Sequence, residues 1–222
     1  MKQIIFPILK KLTTMVESYP DLFQLTIKYS NIMLILYPAT SPLLSILIEQ
    51  PDRTEIDSLL FPKGEEIMPH FWLELVNSKL IQNPNHSFWW SPRLMVIESP
   101  ESIETQKLVI GACGFKAPPD PMGSVEIGYG VIPSQQQKGF ATQAVTLLVE
   151  ECFSRPEVQT IVAYTSPSES ASGRVLTKNS FVRDGSKIDP EDGEVWAWKR
   201  TRPRTILSEL GSRFTLGDLP ND

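Results

Sequence analysis

The stretch EIGYGVIPSQQQKGFATQAVTLLVEECF, residues 126–153, decides how this chain folds. Val125, Ile127, Tyr129 and Val131 alternate along a strand that runs from Ser124 to Ile132 and is closed by Pro133. Apolar residues then fall at Ala141, Ala144, Val145, Leu148, Val149, Cys152 and Phe153, the stripe of an amphipathic helix. The loop from Ser134 to Ala141 joins the two. The first N–H groups of a helix have no internal partner, and the helix dipole favours an anion beside them. Gly139 lets a ligand approach the backbone closely, and Lys138 adds a positive charge. A strand–loop–helix unit of this kind holds a pyrophosphate without a metal. A glycine at a helix start also serves ordinary turns, so the loop by itself leaves both readings open.

Outward from this unit the periodicity switches repeatedly. Arg155-Pro156 ends the helix, Val158 to Thr165 reads as a buried strand, and Ser168 to Asn179 as a shorter helix. Phe181 to Trp198 holds two strands around the turn DPEDG, residues 189–193. Upstream, Leu94 to Glu98 and Lys107 to Lys116 are strands joined by the polar loop SPESIETQ, residues 99–106. The segment APPDPMG, residues 117–123, is a loop because its prolines cannot donate in a ladder. From residue 107 the order is β-β-α-β-α-β-β. One helix between two strands implies a parallel crossover, and the flanking hairpins make the sheet mixed. The fold expected is therefore α/β (α+β by strict layer rules), a mixed central sheet with helices on both faces.

Further out, 22–29 and 32–37 read as strands around a Ser30-Asn31 turn. From Ser41 to Asn83 the pattern is mostly helical, broken by Pro51, Pro62 and Pro69, with its clearest helix over 69–81. Residues 3–19 form a helical pattern that stops before Pro20. The organisation expected is a helical extension over 1–20, one domain over 21–202 and a tail over 203–222.

Composition narrows the function. A length of 222 residues suits one domain with extensions, at ~150 residues per domain. The 41% hydrophobic and 21% charged content excludes disorder throughout. Lys plus Arg number 21 against 26 Asp plus Glu, a net charge of −5, so no nucleic-acid partner is expected. The longest strongly apolar run, Ile32 to Tyr37, is far short of the ~20 residues of a spanning helix, and no membrane partner is expected. Lys10 and Lys11 interrupt the apolar N-terminal stretch, which reads as a packed helix rather than a signal peptide or a surface anchor. Cys113 and Cys152 make no disulfide framework and suit a reducing, cytoplasmic setting. His70 and His86 lack ligand-spaced partners, so no metal is expected.

Three motifs in order carry a resemblance. Gln136, Gly139 and Ala141 match a Gln/Arg-x-x-Gly-x-Gly/Ala loop. Glu126, Gly128 and Tyr129 match the Glu-x-Gly-Tyr strand before it. Ala171, Ser172, Arg174, Val175, Leu176 and Lys178 match an Ala-Ser-x-Arg-Val-Leu-x-Lys helix after the next strand. Over 108–183 the chain resembles the GNAT acetyltransferase superfamily, most closely the branch that acetylates N-termini of ribosomal proteins and related amines.

The resemblance implies acetyl-CoA as cosubstrate, a primary amine as acceptor (a small amine or an N-terminal α-amine), and a monomer or homodimer. Gln136, Gln137, Lys138, Gly139, Phe140, Ala141 and Thr142 would cradle the pyrophosphate. Strands 124–132 and 158–165 would splay so that the pantetheine arm pairs with exposed backbone, Val131 included. Glu126 would accept the ammonium proton, since attack on a thioester needs neutral nitrogen. Its alternative reading is an exposed or paired strand carboxylate. Ser172 would hydrogen-bond the leaving thiolate, or else satisfy a helix N-terminus. Tyr129 and Tyr164 are alternative proton donors or core residues. Trp89 and Trp90 either line an acceptor pocket or pack.

Three residues depart from the family pattern. A common loop glycine is Gln137, the residue opening the second helix is Glu169 rather than asparagine, and a tyrosine acid in many members falls at Leu176. These departures favour a second reading, an acyl-CoA-binding sensor with little or no catalysis.

Overall fold

The structure, a computed structural model, describes residues 26–29, 32–98 and 107–203. The helix expected over 3–19, the Ser30-Asn31 turn, the loop at 99–106 and the tail beyond 203 lie outside the described residues.

Alternation and β-branching build the strands in chain order: β1 (Thr26–Tyr29), β2 (Ile32–Pro38), β3 (Glu55–Ile56), β4 (Leu59–Leu60), β5 (Arg93–Glu98), β6 (Lys107–Phe115), β7 (Ser124–Val131), β8 (Thr160–Thr165), β9 (Val182–Asp189) and β10 (Gly193–Thr201). Helices α1 (Ser41–Glu49), α2 (His70–Gln82), α3 (Ser87–Trp90), α4 (Phe140–Phe153) and α5 (Ala171–Lys178) fill the connections. The sheet order is β1-β2-β5-β6-β7-β8-β10-β9, with the β3–β4 ribbon attached to β6. Among the described residues only β7–β8 and β4–β6 pair in parallel, so the sheet is mixed.

The β3–β4 hairpin does not appear in the sequence reading, which has this segment as mostly helical. Its turn is Asp57-Ser58, both at positive φ of 48° and 66°. That is the geometry of a tight hairpin turn, made here without the glycine that signals one.

The apolar stripe of α4 is driven onto the sheet. Ala144, Val145, Leu148 and Cys152 are fully buried against Ile110, Phe115, Val125, Ile127 and Ile161. Each such aliphatic side chain contributes roughly 1.5–3 kcal/mol by leaving water. Helices α1 and α2 cover the other face, with Leu43, Leu44, Val76 and Leu80 on Ile35, Leu94, Val96 and Ala112. A buried ion pair fastens α4 to the sheet: Arg93 donates to Glu151 through Nε (3.1 Å) and Nη2 (2.7 Å).

Gly111 permits the closest approach in the sheet. A Cβ there would stand 2.1 Å from the Gly130 carbonyl oxygen and 2.9 Å from Val131 Cα. A register shift of β5 against β6 at Met95/Val96 lies opposite this point. The crowding sits on the far end of β7, beyond the residues that pair with β8.

Candidate active site

Strands β7 and β8 pair for three residues only, Ser124↔Thr160, Val125↔Ile161 and Glu126↔Val162. Beyond Glu126 they part, whereas β7 stays paired with β6 up to Val131. Lys116 N–H donates to the Glu126 carbonyl (2.9 Å), and Ile132 N–H to that of Ile110 (2.9 Å). The even-numbered residues of β7 thus turn their backbone polar groups toward β6. By the alternation of an antiparallel ladder, Ile127, Tyr129 and Val131 turn theirs into the gap. The Val131 carbonyl there accepts from Gln136 Nε2 (2.9 Å). The gap is a slot whose wall offers strand hydrogen bonds.

At one mouth of the slot lies the 134–141 loop. Gly139 is the N-cap of α4 with φ 85°, and Gln137 also holds a positive φ of 62°. Two left-handed residues, two positions apart, turn the chain from the end of β7 into α4. Among the described residues no group accepts from the backbone N–H of Gln137, Lys138, Gly139, Phe140, Ala141 or Thr142. A Cβ on Gly139 would meet nothing within 4 Å, so the cradle is open above it. Unpaired N–H groups, an open helix N-terminus and exposed backbone fit a diphosphate. Lys138 folds back instead: its Nζ donates to the Ser134 carbonyl (3.1 Å) and Gln135 Oε1 (2.9 Å). Glu65 grips the loop from outside, accepting from Ser134 N–H and hydroxyl.

On the α1/α2 side of the sheet, Glu126 and Lys116 face each other across β7 and the end of β6. Glu126 is half-buried, and that burial raises its carboxyl above the usual range, against the pull of Lys116 and Lys187. Lys116 lies on Trp72 of α2, its Nζ 3.4 Å from the ring centroid. Burial lowers its ammonium, against the opposing effect of Glu126, Asp192, Glu191 and Asp189. Lys187 Nζ sits 3.4 Å over the Tyr164 ring. A carboxylate, two ammonium groups and two aromatic faces therefore line this side.

Two serines stand at the start of α5. Ser170 is the N-cap of α5, accepting from Gly173 N–H at 3.1 Å. Ser172 is exposed in the first turn, while Leu176 and Asn179, further along the same face, are buried. Its carbonyl accepts from the Tyr129 hydroxyl (3.0 Å), so Ser172 does stand at the slot. Burial pushes the Tyr129 phenol well up from its ordinary value of 10. Leu176 is fully buried in the core with Phe181 and Trp198. Trp89 packs in T-shaped contact with Phe88 and Phe115, and so belongs to the core rather than to an acceptor wall. Burial pushes the Cys113 and Cys152 thiols to about 12, leaving both inert. His70 pairs with Glu74 (3.4 Å). Among the described residues no group of three or more His, Cys, Asp or Glu could hold a metal, and no helix is long and apolar enough to cross a membrane.

The acetyltransferase (GNAT) domain family matches residues 64–182, more than half of the chain. The chain belongs to the GNAT acetyltransferase family. The match covers the slot, its loop and α5. The uncharacterized N-acetyltransferase p20 of Bacillus licheniformis is 35% identical over 83 residues, 37% of this chain and 47% of that protein. The chain thus spans about half the length of the curated relatives it matches. RimJ of Mycobacterium smegmatis, solved in complex with a CoA disulfide, superposes with a TM-score of 0.55 at 18% identity, over 85% of this chain and 93% of that one. Spermidine N-acetyltransferase of Vibrio cholerae, solved with CoA and spermine, gives 0.51 at 14% identity, over 78% and 96%. At these identities the likeness is one of fold, and it is the GNAT fold.

Sequence reasoning missed Lys116, Trp72 and Glu65. Lys116 had a signal: the 117–123 loop closes a hairpin that sets it opposite Glu126. Glu65 had none, being 69 positions from Ser134.

Proposed function

We propose that this protein transfers an acetyl group from acetyl-CoA to a primary amine by direct attack. The observation that carries the reading is the run of unaccepted N–H groups from Gln137 to Thr142 at the mouth of the β7–β8 slot, with Glu126 on the sheet's other side. The loop N–H groups and the α4 dipole bind the diphosphate. The backbone of Ile127, Tyr129 and Val131 orients the pantetheine arm and supplies an N–H to the oxyanion. Glu126 accepts the ammonium proton, directly or through water. Because the thioester is already activated, no covalent enzyme intermediate is required.

The acceptor proposed is a small amine or an N-terminal α-amine. An α-amine has a pKa of about 7.7–8.0 against ~10.4 for lysine, so a modest base deprotonates it more readily. Support comes from the fold neighbours, whose names include a spermidine acetyltransferase and a ribosomal-protein-S5-alanine acetyltransferase. The test is CoA release, with mass spectrometry of amine and peptide libraries, beside direct acetyl-CoA binding. Acetylation confined to lysines of basic peptides would sink the acceptor assignment.

One observation favours the binding module with little catalysis. Leu176 is fully buried, and the Tyr129 hydroxyl is committed to the Ser172 carbonyl, so neither is placed to protonate a leaving thiolate. Tight acetyl-CoA binding without turnover on any amine would select that reading.

A further inference from the structure

Lys116 stands beside Glu126 at the edge of the β7–β8 gap. Its backbone pairs with Glu126 (2.9 Å), so the two side chains leave the same face of the sheet as direct cross-strand neighbours. Its stem lies over Gly128, within the part of β7 that β8 leaves unpaired. A Cβ on Gly128 would meet Lys116 Cε at 3.1 Å and Nζ at 3.7 Å, so the missing side chain makes room for this lysine at the edge of the slot. Among the described residues no carboxylate closes an ion pair on the ammonium; the Trp72 ring holds it instead. A contact of that kind orients the lysine and favours its ammonium form, against the effect of burial.

We propose that Lys116 is itself an acceptor, so that the protein acetylates its own Lys116 side chain. The inference rests on the acetyl-CoA-dependent reading above. The neutral Nζ attacks the thioester carbonyl carbon; a C–N bond forms, the C–S bond breaks, and CoA leaves as the thiolate. The proton lost from nitrogen passes to Glu126 and from there to the thiolate or solvent, so no oxidant or reductant enters. Burial supports the step by favouring the neutral amine. Product formation removes a charge that now holds the Glu126 carboxyl down, so the modified protein has a weaker-ionised base and a bulkier, neutral group beside Trp72. Self-acetylation then acts as a brake on transfer to external amines.

The experiment incubates the full chain with acetyl-CoA and follows intact mass and peptide maps over time, beside calorimetric acetyl-CoA binding and tryptophan fluorescence. The expected result is one acetyl group on Lys116, formed at a rate independent of protein concentration, with a change in emission as the charge over Trp72 disappears. Lys116→Arg keeps the cation and should gain no acetyl group. Glu126→Gln should slow the gain by ~10²-fold or more while still binding acetyl-CoA. Exposed Lys63 and Lys178 are the internal controls for chemical acetylation. The proposal is overturned if Lys116 stays unmodified in protein that binds acetyl-CoA, or gains acetyl no faster than those controls. If α-amines are acetylated meanwhile, the proposed function stands alone. If acetyl-CoA does not bind at all, both fall.

Discussion

Glu65 holds Ser134 with both carboxylate oxygens, Oε1 taking the backbone N–H at 2.9 Å and Oε2 the hydroxyl at 2.6 Å. This pins the segment before α2 to the start of the 134–141 loop, where the diphosphate is proposed to lie. The Ser134 hydroxyl, then its N–H, hold the Glu65 carboxyl below its ordinary 4.5. A depressed carboxyl contributes its stabilisation above the unfolded value and loses it as pH falls through the folded one. The grip is thus complete at neutral pH and released only in acid. Glu65→Gln should weaken CoA binding by about two- to tenfold, the scale of one or two modest hydrogen bonds. Titration calorimetry at neutral pH checks it; equal affinity would free the loop from this anchor.

The Arg93–Glu151 pair predicts a different asymmetry. Both side chains are almost fully buried, and Arg93 also donates to the Phe88 carbonyl (2.8 Å) and lies over the Phe88 and Phe115 rings. Removing one partner strands the other charge in the core, so Arg93→Met should cost about 3–5 kcal/mol in denaturant unfolding. The double variant with Glu151→Leu should recover most of that loss. A double variant as unstable as the single would show that the pair itself, not the orphaned charge, supplies the stability.

How far the sequence reveals this molecule follows from which signals are local. The β7–loop–α4 unit is legible because its period changes from two to three or four within a few residues, and burial of the α4 stripe follows that pattern. Glu151 is not legible: one step from the stripe, a glutamate reads as solvent-facing until Arg93, 58 positions away, is known to meet it. The left-handed Gln137 is legible only in hindsight, since the family's usual glycine marks the strain that the residue here carries. Ser172 and Ser170 illustrate the limit of spacing. Ser170 precedes α5 and Ser172 lies in its first turn, and the cap hydrogen bond alone shows which one begins it.

Gly139 offers a substitution that isolates charge. Its φ of 85° strains most side chains, but Asp and Asn tolerate the left-handed region better than others, and a Cβ there meets nothing within 4 Å. Gly139→Asp and Gly139→Asn should therefore fold alike. Only the aspartate sets a negative charge beside the α4 N-terminus where the diphosphate is proposed to lie. CoA affinity should fall strongly in Gly139→Asp and much less in Gly139→Asn. Equal affinities in the two folded variants would move the diphosphate elsewhere.

Gly111→Ala tests the crowding that shapes the slot. Its Cβ would sit 2.1 Å from the Gly130 carbonyl oxygen, a contact that only backbone movement relieves. Strand β7 must then shift away from β6, toward β8, and narrow the gap. The variant should be destabilised by roughly 1–3 kcal/mol, as overpacked sites are, and should lose CoA affinity beyond what its folded fraction explains. A stable variant that binds CoA normally would show that the gap does not depend on this contact.

The pH dependence of transfer follows from the groups facing Glu126. Burial raises its carboxyl above 4.5; Lys116 and Lys187 act against that, and Asp189 adds to it. A base works only when ionised, so the acid limb of kcat/KM should lie above 4.5 rather than at it. Removing the nearest cation removes its stabilisation of the carboxylate, so Lys116→Met should move that limb to higher pH. Lys187→Met should move it the same way, and Asp189→Asn the opposite way. The three variants thus give signed displacements of one limb, which a general loss of fold would not reproduce. Glu126→Gln should remove the limb and lower turnover by ~10²–10⁴-fold while leaving acetyl-CoA binding in place. The measurement is kcat/KM for an α-amine acceptor across the acid range, with the same rates from a binding-saturated assay. Displacements of the wrong sign, or a limb that survives in Glu126→Gln, would assign the proton to another group.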